Sequence, residues 1–394
     1  MNSKKSVLPT PDKHALVTSE ALTEVIREEI DSCGGKINFA RYMQMVLYSP
    51  GLGYYTAGSQ KFGMAGDFVT APEISSLFSI SVAQQIQQVI AELSQYDDIV
   101  ILEVGGGSGR MAADIMRALE AQRSLPQHYL ILELSPDLKR RQREYLFQNV
   151  PHLVDKVIWI DCLPEQGFRG VLVANELIDA MPVHRITIKD NKLQEYYVTW
   201  HNGRLEWVID AVSDEQIEEQ ISPIRDSLFE GYNSEVNVMA GAWLNSVAAA
   251  LIQGLVLIID YGFTQREYYH LQRNMGTLKC HYRHHSHDNP FYLPGLQDIT
   301  AHVDFTALAQ AAINHGLNVT GFTNQCQFLL DCGISKIGQK RMTGDDKTRL
   351  LVSQEIQKLT FPHEMGELFK VMGLTKDIDR HLLGFRSRDL RGKL

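Results

Sequence analysis

Apolar residues recur along this chain in two rhythms. The first is helical. Leu22, Val25, Ile26 and Ile30 share one helix face, with Thr18 and Ser19 placed to cap it and Cys33-Gly34-Gly35 to end it beyond Ile30. Phe39 to Leu47 reads as a second helix, stopped by Ser49-Pro-Gly-Leu-Gly53. Thr70-x-x-Glu73 has capping-box spacing and predicts a long helix from Pro72 to about Leu93. The second rhythm is of short apolar runs. Strands are expected at 99–104, 129–133, 157–160 and 171–175, with helices such as Met111 to Gln122 between the first pairs. Gly254 to Asp260 supplies a fifth strand, and Asn318 to Phe322 and Glu367 to Met372 are candidates for the sixth and seventh. Alternating strands and helices predict an α/β fold with a parallel sheet.

Between the fourth and fifth strands lie roughly 80 residues, far more than an ordinary strand-to-helix connection. Part of that stretch alternates like an antiparallel meander. His184 to Ile188 and Gln194 to Trp200 are joined near Asp190-Asn191, and Arg204 to Ile209 follows across His201-Asn-Gly203.

The turn after the first strand narrows the chemistry. Gly105, Gly107 and Gly109 fit G-x-G-x-G. A dinucleotide site wants G-x-G-x-x-G, whose third glycine would fall at Arg110, and a P-loop needs Lys followed by Ser or Thr. G-x-G-x-G after a strand holding an acid, Glu103, points to S-adenosylmethionine, whose amino-acid end approaches bare backbone closely. The second strand ends in Glu133, an acid able to accept both ribose hydroxyls of an adenosine. The third ends at Asp161-Cys162, a position used for adenine in sites of this type. The polar, glycine-punctuated stretch from Lys61 to Glu73 contains Gly66, Asp67, Thr70, Pro72 and Glu73. It is placed to close over the cofactor; an ordinary loop with a good cap is the competing reading.

Strand four ends in Asn175-Glu176-Leu-Ile-Asp179-Ala-Met-Pro-Val-His184. Ligands of open α/β sheets bind beyond such strand ends, so Asn175, Glu176, Asp179 and His184 are expected where a methyl acceptor meets the cofactor. Two carboxylates three apart suit a guanidinium, which they can hold in plane. The bland alternative is that both acids cap a following helix.

Composition adds limits. The apolar fraction of 44% and charged fraction of 22% are ordinary for a globular protein, and 394 residues predict a core with an insertion. A net charge of -9 argues against a nucleic-acid surface and suits a cationic substrate. Five cysteines, odd in number and without C-x-x-C spacing, predict a reducing compartment. No apolar stretch approaches ~18 residues, so no membrane insertion is expected. Lys4 and Lys5 precede no apolar signal core or Arg-rich helix, which reads as a bacterial cytoplasmic start, with the mitochondrial matrix as the alternative. The His-rich run Cys280 to Asp288 fits no zinc spacing, so no metal is expected and a polar, partly mobile loop is. Tyr196, Tyr197, Trp200 and Trp207 in the insertion raise a rival reading, a mainly non-catalytic partner-binding factor. Whether His302 and Asp304 open a helix or serve a site stays open.

Several segments together resemble one family, the MidA-like S-adenosylmethionine-dependent methyltransferases. They are Ile37 to Met43, Ser49 to Tyr55, Gly66 to Ser75, Glu103 to Gly109, Asn175 to Arg185, Ile259 to Gly262, Gly276 to Leu278 and Gln297 to Phe305. The family commonly has Pro or Ala where this chain has Gly106, and Phe-Gly where it has Phe78-Ser79. The resemblance implies a class I, Rossmann-like, seven-stranded methyltransferase core with a helical N-terminal region and an antiparallel-strand insertion between strands four and five. It also implies arginine methylation of a protein substrate, giving a symmetric ω-dimethyl product and linked to respiratory complex I assembly; a small-molecule or other side-chain acceptor is the alternative, and a homodimer is allowed. On this reading 1–95 is the helical region with a cofactor-covering loop, 96–181 the first part of the core, 182–253 a substrate-side lobe and 254–394 the rest of the core.

Overall fold

The structure, a computed structural model, describes residues 8–57, 70–343 and 345–394. It divides into two compact units. One comprises Thr70–Asp179, Ala240–Tyr268 and Val303–Leu394; the other comprises Met1–Val69, Ala180–Met239 and Tyr269–His302.

The first of these is built on β1 (Ile99–Val104), β2 (His128–Leu132), β3 (Val157–Ile160), β4 (Phe168–Asn175), β5 (Leu251–Phe263), β6 (Asn318–Asn324) and β7 (Phe369–Lys376). Their order across the sheet is β6-β7-β5-β4-β1-β2-β3. Strands β1 to β5 are mutually parallel, and β7 runs antiparallel between β5 and β6. Among the described residues the sheet has eight strands, because Val303–Asp304, off this seven-strand path, also pairs with the end of β5. Every residue of β1 is buried, and Ile99 and Ile101, on one face of the sheet, join Tyr129, Ile131, Val171, Val173, Leu255 and Leu257 in one apolar core. Covering helices on both faces are what such continuously apolar strands require.

The other unit contains an antiparallel sheet ordered Ile37–Asn38, Lys192–His201, His184–Lys189, Asn233–Val236, with Arg204–Asp210 paired to Lys192–His201. The His-rich run is not a loop. Lys279–Tyr282 pairs with His285–His287 across a tight turn in which Arg283 and His284 have φ of 47° and 63°. Strand Asp298–Thr300 completes this small sheet. The insertion's rings are used internally. Trp207 packs on Phe39 and Phe291 with centroids 5.1 and 4.7 Å apart, and the Tyr196 and Tyr197 hydroxyls donate to Asn233 and Ala211. These contacts pack the Trp207 ring and occupy the two tyrosine hydroxyls within the unit, and Trp200 packs partly buried against the same core.

Three local readings change. The first helix starts at Lys13, because Asp12 accepts from the Ala15 N–H. The capping box at Thr70 does not form, since Thr70 makes no side-chain cap bond. A four-residue helix, Ala71–Ile74, stops at the extended Ser75, which caps a separate helix, Ser76–Glu92, through the Leu77 N–H. Finally, no helix follows β4 over residues 176–183, so Glu176 and Asp179 cap nothing there. Asp304 does open a helix, accepting from the Thr306 and Ala307 N–H groups; it is half-buried, and desolvation pushes its carboxyl up to about 6.

Candidate active site

Strand register brings the candidate residues to one edge of the sheet. Val104 pairs with Leu132 and Ala174, Leu132 with Ile160, and Asn175 with Ile259. Gly105, Glu133, Asp161, Glu176 and Asp260 therefore follow in a row at the carboxyl ends, the edge where parallel sheets take ligands.

The glycine loop is left-handed at Gly107 and Gly109, with φ of 52° and 84°. A side chain at Gly107 would meet nothing within 4 Å, so the loop faces open space there, whereas at Gly109 a Cβ would press to 3.2 Å on Gln142. At Gly106 a Cβ would lie 2.8 Å from the Ile131 side chain and 3.1 Å from Gln142 Nε2, so the turn leaves no room there for a side chain without a shift of its neighbours. Gln142 carries no local signal along the chain that would single it out. It is fully buried, and its Nε2 donates to Gly107 O and to Glu133 Oε2, both at 3.1 Å, while its Oε1 accepts from the Trp159 indole at 2.9 Å. One amide thus ties the loop after β1 to the ends of β2 and β3.

Glu133 is 7% exposed and also accepts from the Ser135 N–H at 2.9 Å. Burial raises its carboxyl above the usual range, against these hydrogen bonds. Glu103 is deeper. It is 2% exposed, accepts from the Tyr129 hydroxyl at 2.7 Å, and burial pushes it up to about 7. Asp161 and Cys162 are exposed; Asp161 pairs with Lys139, and Cys162 is a free thiol. Pro72 is buried within the Ala71–Ile74 helix and Thr70 is its N-terminal flank. Glu73 reaches the glycine loop, where it binds Ser108 Oγ and, at 3.1 Å, Arg110 Nε. Gly66 and Asp67 lie outside the described residues.

The acceptor candidates form a second group. Glu176 has a φ of 49°, a left-handed conformation that an unbranched acid adopts only at a cost and that clusters at functional sites. Its Oε1 accepts from the Ala71 N–H and from Asn175 Nδ2, both at 3.3 Å. Asn175 Oδ1 is buried and accepts no hydrogen bond from the described residues. Asp179 is 6% exposed. Between them sits a residue that sequence reasoning left as a strand end. Asp260, fully buried in β5, accepts from the Ile178 and Asp179 N–H groups at 2.9 and 3.2 Å and from its neighbour Tyr261 at 2.9 Å. Burial first, then the charges of Asp179 and Glu176, hold its carboxyl well above the usual range. His184 belongs to the other unit, where its Nδ1 lies 2.7 Å from the buried Glu195. No cluster of three or more metal-ligating side chains occurs among the described residues.

These residues fit an S-adenosylmethionine-type ligand. The loop is open at Gly107, a carboxylate waits at the end of β2, and an unsatisfied amide oxygen sits at the end of β4. If Glu133 accepts the ribose hydroxyls, Glu133→Ala weakens S-adenosylhomocysteine binding by about 1.5–3 kcal/mol, roughly ten- to a hundredfold. Calorimetry reads this directly, and an unchanged affinity places the ribose elsewhere.

Known proteins agree with this chemistry. Residues 81–323 match the family described as S-adenosyl-L-methionine-dependent methyltransferases. A Burkholderia thailandensis protein, crystallised bound to S-adenosyl-homocysteine, is 41% identical; the match covers 98% of this chain and 100% of that one, with a TM-score of 0.94. The mitochondrial NDUFAF7 homolog of Drosophila melanogaster, named a protein arginine methyltransferase, is 27% identical over 90% of this chain and 84% of its own length. The human NDUFAF7 protein, similarly named, is 26% identical over 86% and 80%. A glycine loop of this spacing, on this strand order and in this company, makes the chain a member of the MidA-like family of methyltransferases that use S-adenosylmethionine.

Proposed function

We propose that the chain transfers the methyl group of S-adenosylmethionine to arginine side chains of a protein substrate. The observation that carries this reading is the acid group at the ends of β4 and β5: Asn175, the strained Glu176, Asp179 and the buried Asp260 beneath them. When bound, the cofactor supplies an electrophilic methyl on sulfur. The chain's own part is to prepare the acceptor. A guanidinium stays protonated in proteins and is a poor nucleophile. Glu176 and Asp179 can pair with it through charge-assisted hydrogen bonds and draw its positive charge toward one nitrogen. Another nitrogen is left richer in electrons, and holding it in line contributes much of the remaining rate. Transfer releases one proton from the methylated nitrogen, and the carboxylates beside it can take that proton.

The names of the curated relatives support an arginine acceptor and a mitochondrial setting, although fold and family fix an acceptor less firmly than a cofactor. A symmetric dimethyl product, on a protein destined for a respiratory complex, is the finer form of the reading. Among the described residues no helix is long and apolar enough to cross a membrane.

Incubation with labelled cofactor and a cell extract, followed by hydrolysis and mass spectrometry, tests the proposal. Label is expected in protein as methylarginine. Label confined to small molecules, lipids or other side chains overturns it.

A further inference from the structure

Glu73 does something other than what its position in the sequence promised. It neither completes a capping box nor leaves its carboxylate idle. One oxygen takes the Ser108 hydroxyl, and the other lies 3.1 Å from Arg110 Nε. Both partners belong to the glycine turn and its helix: Ser108 stands between Gly107 and Gly109, and Arg110 opens the helix Arg110–Ala121. Ser108 Oγ in turn accepts from the Arg110 N–H at 3.4 Å. The Glu73 side chain is only 10% exposed while that of Arg110 is 45% exposed, so the carboxylate end of the arrangement is shielded from water and the guanidinium end is not.

The segment that carries Glu73 is itself braced from behind. Ser75 Oγ donates to Glu355 Oε2 at 2.7 Å, and Arg341 Nη1 reaches the same oxygen at 3.4 Å and Ser76 Oγ at 3.1 Å. Glu355 sits on helix Asp346–Thr360 and Arg341 ends helix Ile334–Arg341, both outside the residues that match the family. At its other end the same short helix gives its Ala71 N–H to Glu176.

We infer that Glu73 is a positioning residue, a strut that holds Ser108 and Arg110 so that the glycine loop keeps the shape its ligand needs. Its carboxylate acts on the loop, not on the cofactor. The inference rests on the glycine loop being the cofactor's cradle, but not on the identity of the acceptor.

S-Adenosylhomocysteine titrated calorimetrically into the full chain tests it. Glu73→Ala is expected to weaken binding about tenfold, and Ser108→Ala and Arg110→Met about threefold each, with little further loss when either is combined with Glu73→Ala. That non-additivity separates a strut from a ligand. A residue touching the cofactor would lose its own contact in full on top of either partner change. Glu73→Gln, which keeps an acceptor for Ser108 but not the ion pair, is expected to recover part of the affinity. If Glu73→Ala does not fold, Glu355→Ala, at a side chain 27% exposed, reads the same brace from outside and is expected to cost about threefold. Affinity within twofold of the parent in Glu73→Ala and in Glu355→Ala, or fully additive losses, overturns the strut. Gly107→Asp serves as the control for the cradle. A φ of 52° strains any side chain, Asp less than most, and no atom lies within 4 Å of the new Cβ, so the variant is expected to fold with some loss of stability and to lose binding. Unchanged binding in Gly107→Asp overturns the cradle and the strut together, whereas loss there without loss at Glu73 overturns the strut alone.

Discussion

Turnover is expected to fall about a hundredfold or more in Glu176→Gln, while affinity for S-adenosylhomocysteine moves by less than about 1 kcal/mol. Gln matches Glu in size and keeps an oxygen for the Ala71 N–H and for Asn175 Nδ2, so the local hydrogen bonds survive. What disappears is one negative charge at the end of β4. If that charge polarises a guanidinium, its loss is felt where charge shifts during transfer, on the scale of removing one preorganised electrostatic contact. The cofactor is expected to be little affected if, as proposed, the lost group faces the acceptor. Asp179→Asn is expected to behave in the same direction. Labelled-methyl transfer and calorimetry give the two readings. Near-normal turnover in both variants leaves the arginine reading without its main physical support and favours an acceptor that needs no charge pairing. The absence of a helix over residues 176–183 removes the account in which both acids cap a following helix; the helix N–H from which Glu176 accepts is that of Ala71, at the start of Ala71–Ile74.

The features legible in the sequence were those made by neighbours in the chain. A strand followed at once by a glycine turn, as at Ile99 to Gly109, shows both its backbone and its chemistry in a dozen residues. Glu133 and Asp161 were visible for the same reason, as the polar ends of short apolar runs. Residues whose roles arise from register were not visible. Asp260 matters because β5 lies beside β4 with Ile259 opposite Asn175, which puts its carboxylate under the Ile178 and Asp179 N–H groups. The two strands are separated by the long insertion, and nothing local announces the pairing. Gln142 is a helical position like many others until folding brings it against Gly107 and Glu133. The capping box failed through competition. The spacing at Thr70 and Glu73 is right, but the Glu73 carboxylate finds Ser108 and an arginine on the neighbouring loop, and a charged partner outweighs a local backbone one. Similarly, Trp207 advertised a binding face, yet Phe39, far away in the chain, packs against it.

Glu103 is expected to make stability depend on pH. Its carboxyl is 2% exposed, and burial raises it from an ordinary 4.5 to about 7, with the Tyr129 hydrogen bond acting against the rise and the charge of Glu133 with it. The sign follows from which state holds the proton. Between pH 4.5 and 7 the folded chain keeps a proton on Glu103 that the unfolded chain has released, so this contribution to stability is fully present below the lower value and is lost as pH rises through the upper one. A rise of this size corresponds to about 3 kcal/mol between the two limits. Glu103→Gln imitates the protonated form at every pH, because its amide can still accept from Tyr129 without bearing charge. The variant is therefore expected to be close to the parent at pH 5 and more stable than it at pH 8, by up to about 3 kcal/mol. Other acids with raised values, among them the buried Asp260 and Glu133 and the half-buried Asp304, contribute with the same sign and remain in both proteins. Only the difference between parent and variant isolates Glu103. Urea unfolding of the cofactor-free protein at a series of pH values, followed through the near-ultraviolet signal, measures it. Parallel pH profiles for the two proteins would show that Glu103 is charged in both states and that its hydrogen bond from Tyr129 outweighs its burial.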